Sequence, residues 1–268
     1  MDLLWGLHMD TQWIGVLGYP LKQSLSKKIH EENIRVHYLP WKFRVLEWAP
    51  QEFEKNIGEL KQDKACIGFS VTMPYKEEII SYLDECKEFA LKVSSVNCVK
   101  NKNGKWVGAN TDAPGFLTPF SFWNPCPPKT VNIVVLGVGA TGRTLSFALA
   151  QGGYQNFIFI NRTVERAQEW CGKFRKTFRN VEAHVGEWGR LPFCENLFIL
   201  NTTPLGMKGE ALDWLDVWSL KNPIWLFDVT YNPAETLLIR QCKSRCFYTM
   251  NGWPMFQEQA RLAFKIWM

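Results

Sequence analysis

Val131-Asn-Ile-Val-Val-Leu-Gly-Val-Gly-Ala-Thr-Gly142 decides how this chain folds. Residues 131–136 form a short apolar run rich in β-branched side chains, and Gly137, Gly139 and Gly142 follow at the spacing G-x-G-x-x-G. Residues 144–150 then read as a helix and residues 156–160 as a second apolar strand. Strand, loop, helix and strand in that order make a βαβ unit, and hence a parallel sheet. Alone, the glycine spacing also describes a turn with no ligand. Between a strand and a helix it reads as a dinucleotide loop, because glycines allow the tight turn and close backbone approach while the helix N-terminus offers N–H donors and a positive dipole to a pyrophosphate. Gly137, Gly139, Ala140, Thr141 and Gly142 are therefore cofactor-binding candidates.

An NAD-preferring site places an acid at the end of the second strand, roughly 20 residues on, to accept from the ribose 2′-hydroxyl. Here Ile160 is followed by Asn161, Arg162 and Thr163, with Arg166 one helical turn later. A permanently charged, bidentate guanidinium matches a 2′-phosphate, so NADP is favoured over NAD. Arg166 taken singly is equally an ordinary surface arginine.

Working outward, Pro119, Pro125, Pro127 and Pro128 crowd residues 119–130 and exclude regular ladder or helix interiors there. This stretch reads as the join between two domains. Upstream, residues 12–19 and 66–72 look like strands and residues 27–36 like a helix. After Pro74, Ile79, Leu83, Cys86 and Ala90 fall at the spacing of an amphipathic helix with Lys76 in its first turn. A helix dipole there would lower the pKa of the amine and help it exchange protons near neutrality; helix-starting lysines are also plain surface residues. Asn103-Gly104 between residues 96–99 and 105–109 is a type I′ hairpin signal, since both central residues need positive φ. That register sets Asn97 opposite Asn110, and by the period of two Asp112 would share a face with Asn97 unless the strand ends or bulges first. Ser24 and Ser26 either point the same way from an extended loop or include the N-cap of the following helix. At the C-terminus Met255, Gln259, Leu262 and Ile266 form one helical stripe, in which Gln259 is a polar interruption that needs a partner. Phe256, Ala260, Phe264 and Trp267 make other faces of the same helix apolar.

With 268 residues, 46% hydrophobic and 21% charged, the chain has ample material for a core, and wholesale disorder, collagen and coiled coil fit poorly. No apolar run approaches the roughly 18 residues of a membrane helix, and residues 1–10 do not resemble a leader. Eight cysteines without metal-ligand spacing read as reduced thiols of a cytoplasmic protein, even with Cys242 and Cys246 at helical spacing. The net charge of +5 mildly favours anionic ligands, and Lys173, Arg175, Lys176 and Arg179 read as a solvated face rather than a nucleic-acid site.

Taken together the residues resemble those of a family, the shikimate dehydrogenases. The likeness runs in order over nearly the whole chain, through Gly18-Tyr-Pro-Leu-Lys-Gln-Ser-Leu-Ser26, Gly68-Phe-Ser-Val-Thr-Met-Pro-Tyr-Lys76, Val96-Asn97 and Asn110-Thr-Asp112. It continues through the glycine loop, Asn161-Arg-Thr163, Asn201-Thr-Thr-Pro-Leu-Gly-Met207, Asp228-Val-Thr-Tyr-Asn-Pro233 and Asn251-Gly-Trp-Pro-Met-Phe-Gln-Glu-Gln259. Such ordered agreement is more specific than any single motif.

The resemblance implies an α/β protein of two domains with a central cleft: an N-terminal mixed α/β substrate domain and a Rossmann-type NADP-binding domain. The C-terminal helix of the family returns to the first domain, giving 1–112 with 251–268 for substrate and 113–250 for NADP. It implies reversible reduction of 3-dehydroshikimate to shikimate with NADPH, with Lys76 and Asp112 as the catalytic pair. Lys76 would carry the proton, and Asp112 would hold the amine and bind a neighbouring hydroxyl. Ser24, Ser26, Thr72, Asn97, Tyr231 and Gln259 would line the substrate site, the serines near its carboxylate. Gly139, Ala140, Asn161, Arg162, Thr163, Thr202, Met207 and Gly252 would border the cofactor. The partner is a small molecule, neither nucleic acid nor membrane, in a monomer or homodimer. Ser70, Gln23, Lys27 and Phe256 depart from the residues usual in the family, which keeps quinate and amino analogues open as substrates. A methylenetetrahydrofolate dehydrogenase is opposed by the Ser-x-Ser and Asn-Thr-Asp positions, and a silent NADP or shikimate sensor by the presence of both Lys76 and Asp112.

Overall fold

The computed structural model describes residues 11–21, 25–192, 196–206, 215, 217–221 and 223–268. Ser24, Met207 and Cys194 lie outside the described residues. The chain divides into two compact units, Met1–Asn110 with Ala260–Met268, and Thr111–Gln259.

The first unit contains β1 (Trp13–Gly18), α1 (Ser26–Val36), β2 (Lys42–Glu47), α2 (Pro50–Leu60), β3 (Cys66–Val71), β4 (Glu85–Cys86), α3 (Glu88–Lys92), β5 (Cys98–Lys102) and β6 (Lys105–Ala109). They form one mixed sheet in the order β2-β1-β3-β5-β6-β4. Alternation along the central strands sorts its two faces. Trp13, Leu17, Phe69 and Val71 pack with Phe53 and Ile57 of α2, whereas Ile14 and Cys98 pack with Ile34 of α1 and with Ala263, Phe264 and Trp267 near the C-terminus. The Asn103-Gly104 hairpin forms as expected, with φ of 54° and 89°, and pairs Lys102 with Lys105 through to Cys98 with Ala109.

Two expectations for this unit fail. No helix begins at Pro74: the chain makes a turn, a 3₁₀ helix at Glu78–Tyr82 and then the short strand β4. The open edge of β6 outcompetes local helical periodicity, taking Asp84 N–H to Trp106 O at 3.0 Å and Lys87 N–H to Gly108 O at 2.9 Å. Lys76 is therefore in a turn, and the macrodipole argument for its amine lapses. Nor does the β5–β6 ladder reach Asn97 and Asn110. It stops at Cys98 and Ala109, and Asp112 opens a helix, so the period of two does not relate Asp112 to Asn97.

The second unit contains α4 (Asp112–Ser121), β7 (Asn132–Leu136), α5 (Ala140–Gln151), β8 (Asn156–Ile160), α6 (Val164–Thr177), β9 (Glu182–Val185), β10 (Leu197–Asn201), β11 (Ile224–Asp228), α7 (Leu237–Ser244), β12 (Tyr248–Asn251) and the start of α8 (Trp253–Trp267). Its strands are all parallel, in the order β12-β11-β10-β7-β8-β9, which is the doubly wound arrangement of dinucleotide-binding sheets. Burial on both faces explains why β7, β10 and β11 read as nearly continuous apolar runs. The proline-rich stretch is not a join between domains. Pro119 lies inside α4, and the carbonyls of Pro125 and Pro127 accept from Trp225 Nε1 at 2.9 Å and Tyr154 OH at 2.8 Å, fastening the stretch to this unit. On α8 the buried residues are Met255, Phe256, Ala260, Ala263, Phe264 and Trp267, so the stripe through Gln259, Leu262 and Ile266 is only the margin of the buried face.

His30 of α1 is fully buried against Phe43, Phe264 and Trp267, and among the described residues neither ring nitrogen has a hydrogen-bond partner. Burial pushes its pKa from 6.5 down to about 4. The unfolded chain thus binds this proton at a higher pH than the folded one. The associated stability is complete above about pH 6.5 and declines as pH falls towards 4, by at most about 3 kcal/mol at ~1.4 kcal/mol per pH unit. His30→Phe is expected to flatten this acid limb in urea denaturation midpoints measured from pH 7 to 4. An unchanged limb would show that His30 does not set it.

Candidate active site

In the first unit, backbone hydrogen bonds gather the chemistry-bearing residues at one end of the sheet. Thr72 N–H donates to Leu17 O at 2.8 Å and Val71 N–H to Asn97 O at 2.8 Å, while Val96 N–H donates to Lys76 O at 2.8 Å. Thr72, Lys76 and Asn97 are thereby brought together beside the end of β1. Gly18 permits this closeness, since a Cβ there would lie 2.3 Å from Thr72 Cγ2. The turn carrying Lys76 is anchored by Tyr75, which is fully buried, stacks on Phe53 at 4.2 Å and donates from its hydroxyl to Trp48 O at 2.5 Å. Burial raises the Tyr75 pKa, keeping the phenol neutral and able to donate. Asn97 is buried, and so is Ser26 in the first turn of α1; the N-cap position is Leu25, so Ser26 does not cap that helix.

In the second unit each glycine of the loop answers a different demand. Gly137 has φ +90° and donates its N–H to Ile160 O at 2.8 Å, making the tight turn out of β7. A Cβ at Gly142 would lie 2.0 Å from Gly137 O, so only glycine lets α5 start this close to the strand. A Cβ at Gly139 would meet nothing within 4 Å, so the middle glycine faces open space. Gly139 is the N-cap of α5, and the first turn, with Ala140 and Thr141, holds no acid. Its N–H groups and dipole suit a pyrophosphate. Asn161 ties the loop to the next strand, accepting Val138 N–H at 3.0 Å on Oδ1 and donating from Nδ2 to Thr163 O at 2.8 Å. The Thr202 hydroxyl braces the loop from below through Gly137 O at 2.8 Å and Leu136 O at 3.0 Å. Arg162, Thr163 and Arg166 are exposed where β8 turns into α6, and among the described residues neither guanidinium is in an ion pair. These residues fit a dinucleotide bearing a 2′-phosphate.

Asp112 is buried in the first turn of α4. One turn on, Gly115 lets that helix meet the start of α8, because a Cβ at Gly115 would lie 2.7 Å from Gln259 Cβ and 2.9 Å from Gln259 N. Asp112 and Gln259 thus sit on facing helices. The Gln259 amide donates to Phe256 O at 2.9 Å. Tyr231 stacks on Phe256 with centroids 4.3 Å apart. Gly252 allows the chain after β11 to pass, since a Cβ there would lie 1.9 Å from Val229 O.

Sequence reasoning missed the residues that hold these loops. Asn201 Oδ1 accepts Thr203 N–H at 3.2 Å, Asp228 Oδ1 accepts Thr230 N–H at 3.0 Å and Asn251 Oδ1 accepts Trp253 N–H at 3.1 Å. Burial raises the Asp228 pKa, and hydrogen bonds from Thr230 and Thr236 oppose the rise. An Asn or Asp ending an apolar run was the available signal.

A family model described as the shikimate dehydrogenase substrate binding domain matches residues 16–99. The shikimate dehydrogenase (NADP(+)) of Halothermothrix orenii is 33% identical over 266 residues, spanning 96% of this chain and 91% of its own. Among solved structures, shikimate dehydrogenase from Aquifex aeolicus is 32% identical with a TM-score of 0.84, covering 97% of this chain and 94% of that one. The Thermus thermophilus enzyme in complex with NADP(H) and shikimate is 25% identical with a TM-score of 0.80, covering 96% and 93%. Similarity at this level runs through both units and nearly the whole length, and the chain belongs to the shikimate dehydrogenase family.

Proposed function

We propose that the protein catalyses the reversible, NADPH-dependent reduction of 3-dehydroshikimate to shikimate. What carries this reading is kinship, over 96% of the chain, with NADP-dependent shikimate dehydrogenases in a chain that has both Lys76 and Asp112. NADPH, when bound, supplies the hydride to the C3 carbonyl carbon. Lys76 delivers the proton to the carbonyl oxygen and recovers it in the reverse direction. Asp112 positions the reacting group and accepts from the adjacent hydroxyl. Ser24 and Ser26 bind the carboxylate, while Thr72, Asn97, Tyr231 and Gln259 hold the ring. Residues 1–112 with 251–268 serve the substrate and 113–250 the cofactor.

Around the cofactor, Gly137, Gly139, Ala140, Thr141 and Gly142 cradle the pyrophosphate. Asn161, Arg162, Thr163 and Arg166 surround the adenosine 2′-phosphate, and Thr202, Met207 and Gly252 complete the cofactor's border. The enzyme works on small molecules rather than nucleic acid or membrane, as a monomer or homodimer in the cytoplasm; the buried, reduced thiols of Cys66, Cys171 and Cys242 suit that compartment.

Absorbance at the reduced-nicotinamide band, with NADP or NAD against shikimate, quinate and related hydroxy acids, tests this function. The expected result is oxidation of shikimate with NADP, and failure with every hydroxy acid would overturn it. Arg162→Glu is expected to raise the KM for NADP about ten- to a hundredfold, the worth of a hydrogen bond to a charged group, and to leave that for NAD nearly unchanged. Equal losses for both cofactors would remove Arg162 from the 2′-phosphate.

A further inference from the structure

Asn201, Asp228 and Asn251 are register partners at the carboxyl ends of β10, β11 and β12, so they form one row across the sheet with their side chains on a common face. Each closes the turn after its own strand by accepting the N–H two residues on. The middle member, fully buried like Asn201, differs in being a carboxylate with both oxygens in use. Oδ1 takes Thr230 N–H, and Oδ2 takes the Thr236 hydroxyl at 2.8 Å. Thr236 in turn caps α7, its Oγ1 accepting Ile239 N–H at 3.2 Å. An amide supplies one acceptor and a carboxylate two, so a single side chain can hold both ends of the loop 229–236.

The row's neighbours hold the same loop from outside. Val229 N–H donates to Asn201 O at 2.9 Å, Gly252 N–H to Thr230 O at 3.1 Å and Asn251 Nδ2 to Ala234 O at 2.8 Å. Tyr231 follows directly on the Thr230 attachment, and its ring lies flat on Phe256. A ring presented from a loop fixed at positions 229, 230, 234 and 236 is preorganised.

We propose that Asp228 is a positioning residue of the reaction, acting through Tyr231 by holding the loop 229–236 at both ends. This rests on the assignment of Tyr231 to the substrate. Displacements of about 1 Å at a reacting centre can cost on the order of 10²-fold, so a buried carboxylate remote from the chemistry can govern it.

The test compares Asp228→Ala, Asp228→Asn, Tyr231→Ala and the Asp228→Ala/Tyr231→Ala double variant. Steady-state constants are measured for shikimate and NADP, with thermal midpoints and amide hydrogen exchange over 229–236. Asp228→Ala is expected to raise the KM for shikimate about tenfold or more, to leave that for NADP within about twofold, and to speed exchange in this loop. Asp228→Asn, which keeps the acceptor for Thr230 N–H but not the one for the Thr236 hydroxyl, should recover part of the loss. The double variant should be no worse than Tyr231→Ala. A lowered melting point with unchanged shikimate KM would make Asp228 merely structural, and multiplicative effects would show that it does not act through Tyr231. If the unaltered protein oxidised no shikimate, the functional reading would fall by itself; unchanged exchange in Asp228→Ala would overturn the positioning role on any substrate.

Discussion

Lys76→Ala is expected to bind NADP as the unaltered protein does and to oxidise shikimate about 10² to 10⁴ times more slowly, the usual contribution of a general acid–base group. The amine is carried by a turn whose position is set by the backbone and by its neighbour: Lys76 O accepts from Val96 N–H, and Tyr75 is locked by Phe53 and Trp48 O. Truncating the side chain leaves those attachments and the whole second unit in place. Asp112→Asn keeps the shape of a buried side chain in the first turn of α4 but removes its charge. Its loss should overlap with that of Lys76→Ala in the double variant, because groups that act on one step as a unit are not additive. Turnover of the three variants, with NADP binding followed by fluorescence, decides the matter. Near-normal turnover of Lys76→Ala would remove the lysine from proton transfer.

The second large effect belongs to the glycine loop, where two alanine substitutions should fail in different ways. Gly142→Ala sets a methyl 2.0 Å from Gly137 O and 2.8 Å from the Thr202 hydroxyl, so backbone has to move. Overpacking of this kind costs about 1–3 kcal/mol, which lowers the melting temperature by about 2–4 °C per kcal/mol in a chain of this size. NADP affinity should fall about tenfold or more as the loop opens. Gly139→Ala meets no protein atom within 4 Å, so its melting temperature should hold while NADP affinity falls. On the proposed cofactor site, the methyl would occupy the side from which the pyrophosphate approaches. Unaltered NADP dissociation constants in both variants would place the cofactor elsewhere.

What was legible in the sequence was what the chain decides locally. Asn103-Gly104 predicts its hairpin because two consecutive positive φ angles admit few residue types, and the register followed down to Cys98 and Ala109. The glycine loop was legible on similar local grounds, since Gly137 needs its positive φ and Gly142 has no room for a Cβ. The segment after Pro74 was not. Ile79 and Ala90 are buried as the periodicity implies, yet the chain between them is spent on an edge strand whose partner, β6, comes later in the sequence. The prolines at 125 and 127 were misjudged similarly, since Trp225 and Tyr154, which hold their carbonyls, are remote in sequence. The Asn201, Asp228 and Asn251 row escaped notice because its meaning lies in the register of three parallel strands. Each residue alone looks like an ordinary turn former.

Residues 260–267, in α8, cover a face of the first sheet, and this orders events during synthesis. Phe264 and Trp267 cover His30, Ile14 and Cys98, the Trp267 indole donates to Val99 O at 3.0 Å, and Lys100 Nζ reaches Ile266 O at 2.5 Å. When Asn110 leaves the ribosome these partners do not yet exist, and the part of this face that α1 leaves open stays uncovered while the second unit is made. Domains ordinarily mature from the N-terminus onward as the chain emerges. Here the first unit waits for residues made after the whole of the second, and a nascent chain stalled before Ala260 exposes an apolar surface that chaperones would recognise.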